Sequence, residues 1–154
     1  MGVPRLRLHP LVTSGLIAAW VLYVASLALP VFQVNGETWK GGWVLLLGAL
    51  GMLDANFAWL ANPLFLFTSF CVVYSYDDSS LVAGACIAGA VAPGVALTSY
   101  RFHRMCTDGG CSPVSELGVG FYVWLSAMLV LLMASAAHAY LTVRPRSPVN
   151  GAAA

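Results

Sequence analysis

Four long apolar stretches separated by short polar gaps make up nearly all of this chain. They run from Leu11 to Phe32, Trp43 to Tyr76, Leu81 to Tyr100, and from Val114 or Gly118 to Val143. None alternates with the period of a half-buried strand, and none carries a polar face that would mark a surface helix. A bilayer crossing needs about 20 apolar residues, which the first, third and fourth runs supply once each. The second is too long for one straight crossing: as a helix it would reach about 51 Å, against a hydrocarbon core of about 30 Å. It is too short for two crossings and a turn. Its pattern predicts a short helix over 43–53, interfacial or re-entrant, and then a span over 55–76. Pro63 should bend that span in its first half, because it has no N–H and crowds the preceding turn.

The gaps are rich in turn formers. Gln33 to Gly41 reads as a polar loop, and Asp77-Asp78-Ser79-Ser80 as a tight turn in which Ser80 can cap the next helix. Arg101 to Leu117 is the longest polar stretch, and Ser112-Pro113 reads as a helix start. The expected fold is therefore all-α: an integral membrane four-helix bundle with spans over 11–32, 55–76, 81–100 and 118–143. It forms a single transmembrane domain across 1–154, with a frayed tail over 147–154. The first apolar run exceeds the length of a signal-peptide core, so it is expected to stay as an uncleaved helix.

Composition agrees with lipid as the solvent. Seven Lys and Arg and six Asp and Glu accompany 60% hydrophobic residues, and the mean hydropathy is +0.82. A net charge of +1 provides no basic surface for nucleic acid. Four crossings place both termini on one side. Arg5, Arg7, Arg144 and Arg146 lie on that side, against Lys40, Arg101 and Arg104 on the other, which favours cytoplasmic termini. The acidic turn at Asp77-Asp78 runs against that assignment. Trp39, Trp43 and Trp59 are placed to act as interfacial anchors.

Few residues are candidates for chemistry. Cys106 and Cys111 bracket Thr-Asp-Gly-Gly, a spacing that can close a structural disulfide in an oxidising compartment. A catalytic thiol pair and a metal site with His103 are the alternatives for the same loop. Cys71 and Cys86 read as small buried hydrophobes. Asp54, Asn56, Asn62 and Pro63 form a polar joint or pocket. Carboxylates at membrane depth persist mainly with a partner, and Asn62 precedes a proline whose freed carbonyls need donors. Gly84, Ala85, Ala88, Gly89 and Ala92 form a small-residue helix-packing stripe, at the bundle's centre or against a partner. His138 reads as an interfacial anchor near Tyr140. No metal or cofactor motif is recognisable.

Three segments carry a resemblance: Trp39-Lys40-Gly41-Gly42-Trp43, Phe57-Ala58-Trp59-Leu60-Ala61-Asn62-Pro63, and Gly118-Val119-Gly120-Phe121-Tyr122-Val123-Trp124-Leu125. Together they resemble a loose group of small four-helix bacterial membrane proteins sharing a Phe-Ala-Trp-x-Ala-Asn-Pro segment, over about 29–132. The resemblance implies the topology and a bacterial inner-membrane setting. It brings no catalytic residue.

These features point to a non-enzymatic membrane protein, an accessory or scaffold subunit whose partners are the lipid bilayer and other membrane-protein subunits. The alternatives are a small transporter or lipid- or ion-binding protein using Asp54, Asn56 and Asn62, and a thiol-redox protein using Cys106 and Cys111.

Overall fold

A computed structural model describes residues 8–34, 36–54, 57–75, 78–101, 104–107 and 110–143. Five α-helices dominate it: α1 (Pro10–Ala28), α2 (Gly41–Leu47), α3 (Ala61–Tyr74), α4 (Ser79–Ala96) and α5 (Val119–Val143). Short 3-10 turns extend three of them. Gly48–Asp54 follows α2, Ala58–Leu60 precedes α3, and Leu97–Arg101 follows α4. Three helical segments are long and apolar enough to cross a membrane: Pro10–Ala28, Ser79–Arg101 and Val119–Thr142. The apolar helix Ala58–Tyr74 is shorter. At 1.5 Å per residue it reaches about 26 Å.

The all-α expectation is corrected by a small antiparallel sheet. Its strands are β1 (Pro30–Val34), β2 (Glu37–Lys40), β3 (Arg104–Thr107) and β4 (Gly110–Leu117), in the order β2-β1-β4-β3. The first helix therefore stops at Ala28, not Phe32. Leu29 precedes a proline and takes an extended conformation, with ψ 154°. Beyond it Phe32 and Val34 are buried while Gln33 is exposed, the alternation of a strand. The polar loop expected over 33–41 holds paired strands: Val34 pairs with Glu37, and Gly36 between them has φ 82°. Asn-Gly is the preferred sequence for a two-residue hairpin turn. In the second hairpin Thr107 pairs with Gly110. Ser112-Pro113 lies in β4 and starts no helix. Pro113 pairs with Arg104 of β3 and lies beyond the last β1–β4 pair, Val34 with Val114, where the register is irregular and a missing N–H costs little.

The other boundaries follow the sequence more closely. The short helix expected over 43–53 is present as α2 and its 3-10 extension. The next helix starts at Ala61, after its 3-10 turn, and not at residue 55. Pro63 consequently sits in the first turn of α3, where a missing N–H does least harm. Ser80 does not cap α4. Asp78 is the N-cap, and its carboxylate accepts the Ser80 backbone N–H at 2.8 Å. Asp78→Ala should thus lower stability by about 1 kcal/mol in a thermal melt, and Ser80→Ala by much less.

All four long helices run between the same two ends. Near the termini Val12, Cys71, Val72 and Ala85 cluster, with Ala137 packed against them. Nearer the sheet Ala19, Phe65, Ala96, Met128 and Leu131 form the larger core. Helices α1 and α5 approach closely: a Cβ on Gly15 would lie 3.1 Å from the Cβ of Ala134. The stripe on α4 faces inward. Ala85, Ala88, Gly89 and Ala92 are buried, and a Cβ on Gly89 would meet Ser135 Oγ at 2.9 Å and Thr68 Cγ2 at 3.3 Å. Gly84 faces Phe67 and Cys71. Helices α3 and α5 of the same chain therefore cover this stripe, the bundle-centre reading of it.

Candidate functional site

The three sequence segments behind the resemblance meet at one place, beneath the sheet. Gly41 opens α2 against the end of α1, and its N–H donates to the Leu29 carbonyl at 3.0 Å. A Cβ there would strike the Ser26 carbonyl, so only glycine lets the two helices come this close. Gly118 and Gly120 do the same for α5. A Cβ on either would run into the Pro30 carbonyl. Trp59 in the 3-10 turn before α3 reaches across to α2 and donates its indole N–H to the Leu45 carbonyl at 2.8 Å.

Asn62 is the centre of this arrangement, and is buried. Its Oδ1 accepts from the Tyr23 hydroxyl at 3.1 Å and from the Trp124 indole N–H at 3.0 Å. Its Nδ2 donates to the Trp59 carbonyl at 3.1 Å. That carbonyl lies four residues before Pro63, so in a regular helix the absent proline N–H would have bonded it. The amide thus supplies the donor that the proline removes, and ties α1, α3 and α5 together. Aromatic packing holds the donors in place. Tyr23 stacks on Phe65 with centroids 4.6 Å apart, and Trp124 lies 6.0 Å from Phe121.

Asn62 also lines a partly enclosed cavity of about 90 Å³, with Ser26, Val44, Trp59, Phe121 and Trp124 among its walls. Of the residues expected to form a polar joint or pocket, Asn62 and Pro63 stand at this crossing. The side chain of Asp54 and the whole of Asn56 lie outside the described residues, so a three-residue cluster is not assembled here.

A second buried polar pair was not anticipated. His138 is no interfacial anchor: it is buried, and its Nε2 lies 2.7 Å from the Ser75 hydroxyl at the end of α3. Ser75 and His138 are far apart in sequence, so only the packing of α3 on α5 brings them together. Among the described residues, no three His, Cys, Asp or Glu side chains converge.

Trp59 serves as a clamp between helices as well as being placed near their ends. Trp39 stacks on its cross-strand neighbour Phe32, with centroids 6.0 Å apart, and Trp43 is exposed. Cys106 and Cys111 are paired directly across the β3–β4 ladder by their backbone register. Their side chains lie outside the described residues, as do His103, Asp77 and the segments 1–7 and 144–154, with the terminal arginines and the tail. Cys71 is buried and Cys86 half-buried, each a free thiol, in keeping with their reading as small hydrophobes.

No family model, curated protein or solved structure matches the chain. What it can do is therefore argued from its own residues.

Proposed function

We propose that this chain is a four-crossing integral membrane protein of a bacterial inner membrane, kin to the small four-helix group it resembles. It works there as a non-enzymatic accessory or scaffold subunit beside other membrane-protein subunits. The observation that supports this most is an inverted distribution of polarity. Large apolar side chains cover the outside: Ile17 on α1, Phe70 on α3, Ile87 on α4 and Met133 on α5 are all exposed, the last at 70%. The inside holds alanines and a few large apolar side chains such as Phe65, Phe121 and Leu131, together with the polar Ser26, Asn62, Thr68, Ser135 and His138. A water-soluble bundle has the opposite arrangement, whereas hydrocarbon surroundings require this one.

The apolar helix Ala58–Tyr74 completes the fourth crossing, and α2 lies at the interface with Trp43 and Leu46 outward. The sheet then stands on one side of the membrane and both termini on the cytoplasmic side. A non-enzymatic role is supported by how the polar groups are used. Asn62, Tyr23, Trp59 and Trp124 bond one another and the backbone, which fixes the angles between helices. The transporter reading depends on Asp54 and Asn56 adding a charge path to Asn62, whose carbonyl oxygen already accepts two bonds.

The thiols belong to the same reading. Cysteines directly opposite in an antiparallel pair have their Cα atoms within the range a disulfide spans. A Cys106–Cys111 bond would staple the outer hairpin in an oxidising compartment. Peptide mapping of the membrane-extracted protein without reduction should recover the two cysteines in one cross-linked peptide. Recovery as free thiols would remove the staple and the compartment assignment, and would reopen the thiol-redox alternative. Reporter fusions test the crossings: fusions after residue 79 and after residue 143 should report the cytoplasm, and one after residue 107 the opposite side. A fusion after residue 40 reporting the same side as the fusion after residue 79 would show that Ala58–Tyr74 does not cross and would overturn the four-crossing reading. Purification in mild detergent should retain a second membrane protein at fixed stoichiometry, and a stable monomer alone would count against the accessory role.

A further inference from the structure

We propose that the cavity beneath the sheet is a lipid site that takes the ester carbonyl and first methylenes of one phospholipid acyl chain. This rests on the membrane reading given above. The cavity's size, about 90 Å³, is more than half that of an apolar cavity known to take benzene, roughly 150 Å³. It adjoins the close-packed aromatic joint of Phe121 and Trp124, and Gly41 and Gly48 contribute to its wall. The space is partly enclosed, so a chain from the surrounding lipid can reach it.

The lining indicates what would fill it. Leu27, Val31, Val44 and Leu117 make it mainly apolar, and none of its described lining residues is charged. A phosphate group would find no cation among them, and free water would find few partners. The polar side chains present are neutral: Ser26, Ser99 and Asn62. Both lining indole N–H groups are already engaged, Trp59 with Leu45 and Trp124 with Asn62. An asparagine amide has two N–H donors, and one of those of Asn62 is used on the Trp59 carbonyl. Among the described residues no acceptor takes the other, and we assign it to the ligand. The complement is a group that only accepts hydrogen bonds and carries a hydrocarbon tail, which describes an acyl ester. The depth agrees. The cavity lies where α1 gives way to β1 and where α5 begins, the level at which a crossing helix leaves the hydrocarbon and meets the ester region of the lipid.

The test uses the protein's own tryptophans. In one variant Trp20, Trp39 and Trp43 are changed to phenylalanine, leaving Trp59 and Trp124 at the cavity. In another Trp20 is the reporter, retained on the outer surface of α1, where it is 37% exposed, with Trp39, Trp43, Trp59 and Trp124 changed to phenylalanine. Each is purified in dodecylmaltoside and titrated with phosphatidylcholine brominated at carbons 6 and 7 of its acyl chain. Emission from Trp59 and Trp124 should be quenched with saturation at one lipid per protein. Val44→Phe, and independently Val31→Phe, should fill the cavity and weaken that phase at least tenfold, without altering Trp20 quenching. Quenching of the cavity pair that rises without saturation, as for Trp20, would overturn the site, as would a saturable phase that persists in both filling variants. Water alone would then occupy the cavity. If Trp20 itself were not quenched at any lipid ratio, the membrane reading would fail instead.

Discussion

Asn62→Leu should be among the most damaging single substitutions in this protein, lowering stability by about 3 kcal/mol. Leucine has the same branching and number of side-chain heavy atoms, is somewhat bulkier, and removes three hydrogen bonds at once. The Tyr23 hydroxyl and the Trp124 indole N–H lose their acceptor, and the Trp59 carbonyl loses its donor. Each buried polar group left unpaired costs about 1–3 kcal/mol, while individual interhelical bonds in membrane proteins average nearer 0.6 kcal/mol. The sum lies between these limits because the three partners come from different elements and cannot all find new bonds locally. Unfolding in detergent, followed by tryptophan emission, measures it. A double-mutant cycle makes the test specific. Tyr23→Phe should destabilise the natural protein by about 1 kcal/mol, and should be neutral or stabilising when Asn62 is already leucine, because it then removes a hydroxyl left without its acceptor. Additive effects would show that the two side chains do not interact.

Neighbouring glycines should behave in opposite ways. A methyl on Gly41 would strike the Ser26 carbonyl and lie 3.0 Å from the Leu27 Cα, and both are backbone atoms that cannot rotate away. Gly41→Ala must therefore push α2 off the end of α1 and strain the bond from the Gly41 N–H to the Leu29 carbonyl. A loss of about 3 kcal/mol is expected, the upper end for overpacking. Gly42→Ala brings its methyl only to 3.4 Å from the Leu27 carbonyl oxygen. That tight contact is offset by the better helix propensity of alanine, about 1 kcal/mol, so the variant should melt within a degree or two of the natural protein. Equal melting temperatures for the two variants would mean that α2 does not cross α1 at Gly41.

Parts of this arrangement are legible along the chain, for identifiable reasons. The short helix after Gly41 follows from length alone, since the run from Trp43 to Tyr76 fits neither one crossing nor two. The role of Asn62 follows from its place beside Pro63, because a proline always frees a carbonyl four residues back. The stripe on α4 follows from small residues at helical spacing. The hairpins escape such a reading although favoured turn sequences, Asn35-Gly36 and Asp108-Gly109, stand in the two gaps. In a chain this apolar, polar gaps are read by default as loops, and strands of four to eight residues are too short for their alternation to stand out. The Ser75–His138 pair carried no local signal at all, because each residue acquires its partner from another helix.

The order of apolar and polar stretches is enough by itself to indicate long apolar helices with a short helix opening the second run; it predicts four crossings, whereas three of the described helices have the length for one. Helix formation and partition into lipid depend on composition within about 20 residues, and that information is local. Tertiary structure alone decided that β1 and β4 join two distant gaps into one sheet, that glycines 41, 118 and 120 share a single crossing point, and that Asn62 finds Tyr23 and Trp124. Each of these depends on two or more segments arriving at the same place, and no single window of sequence holds that information.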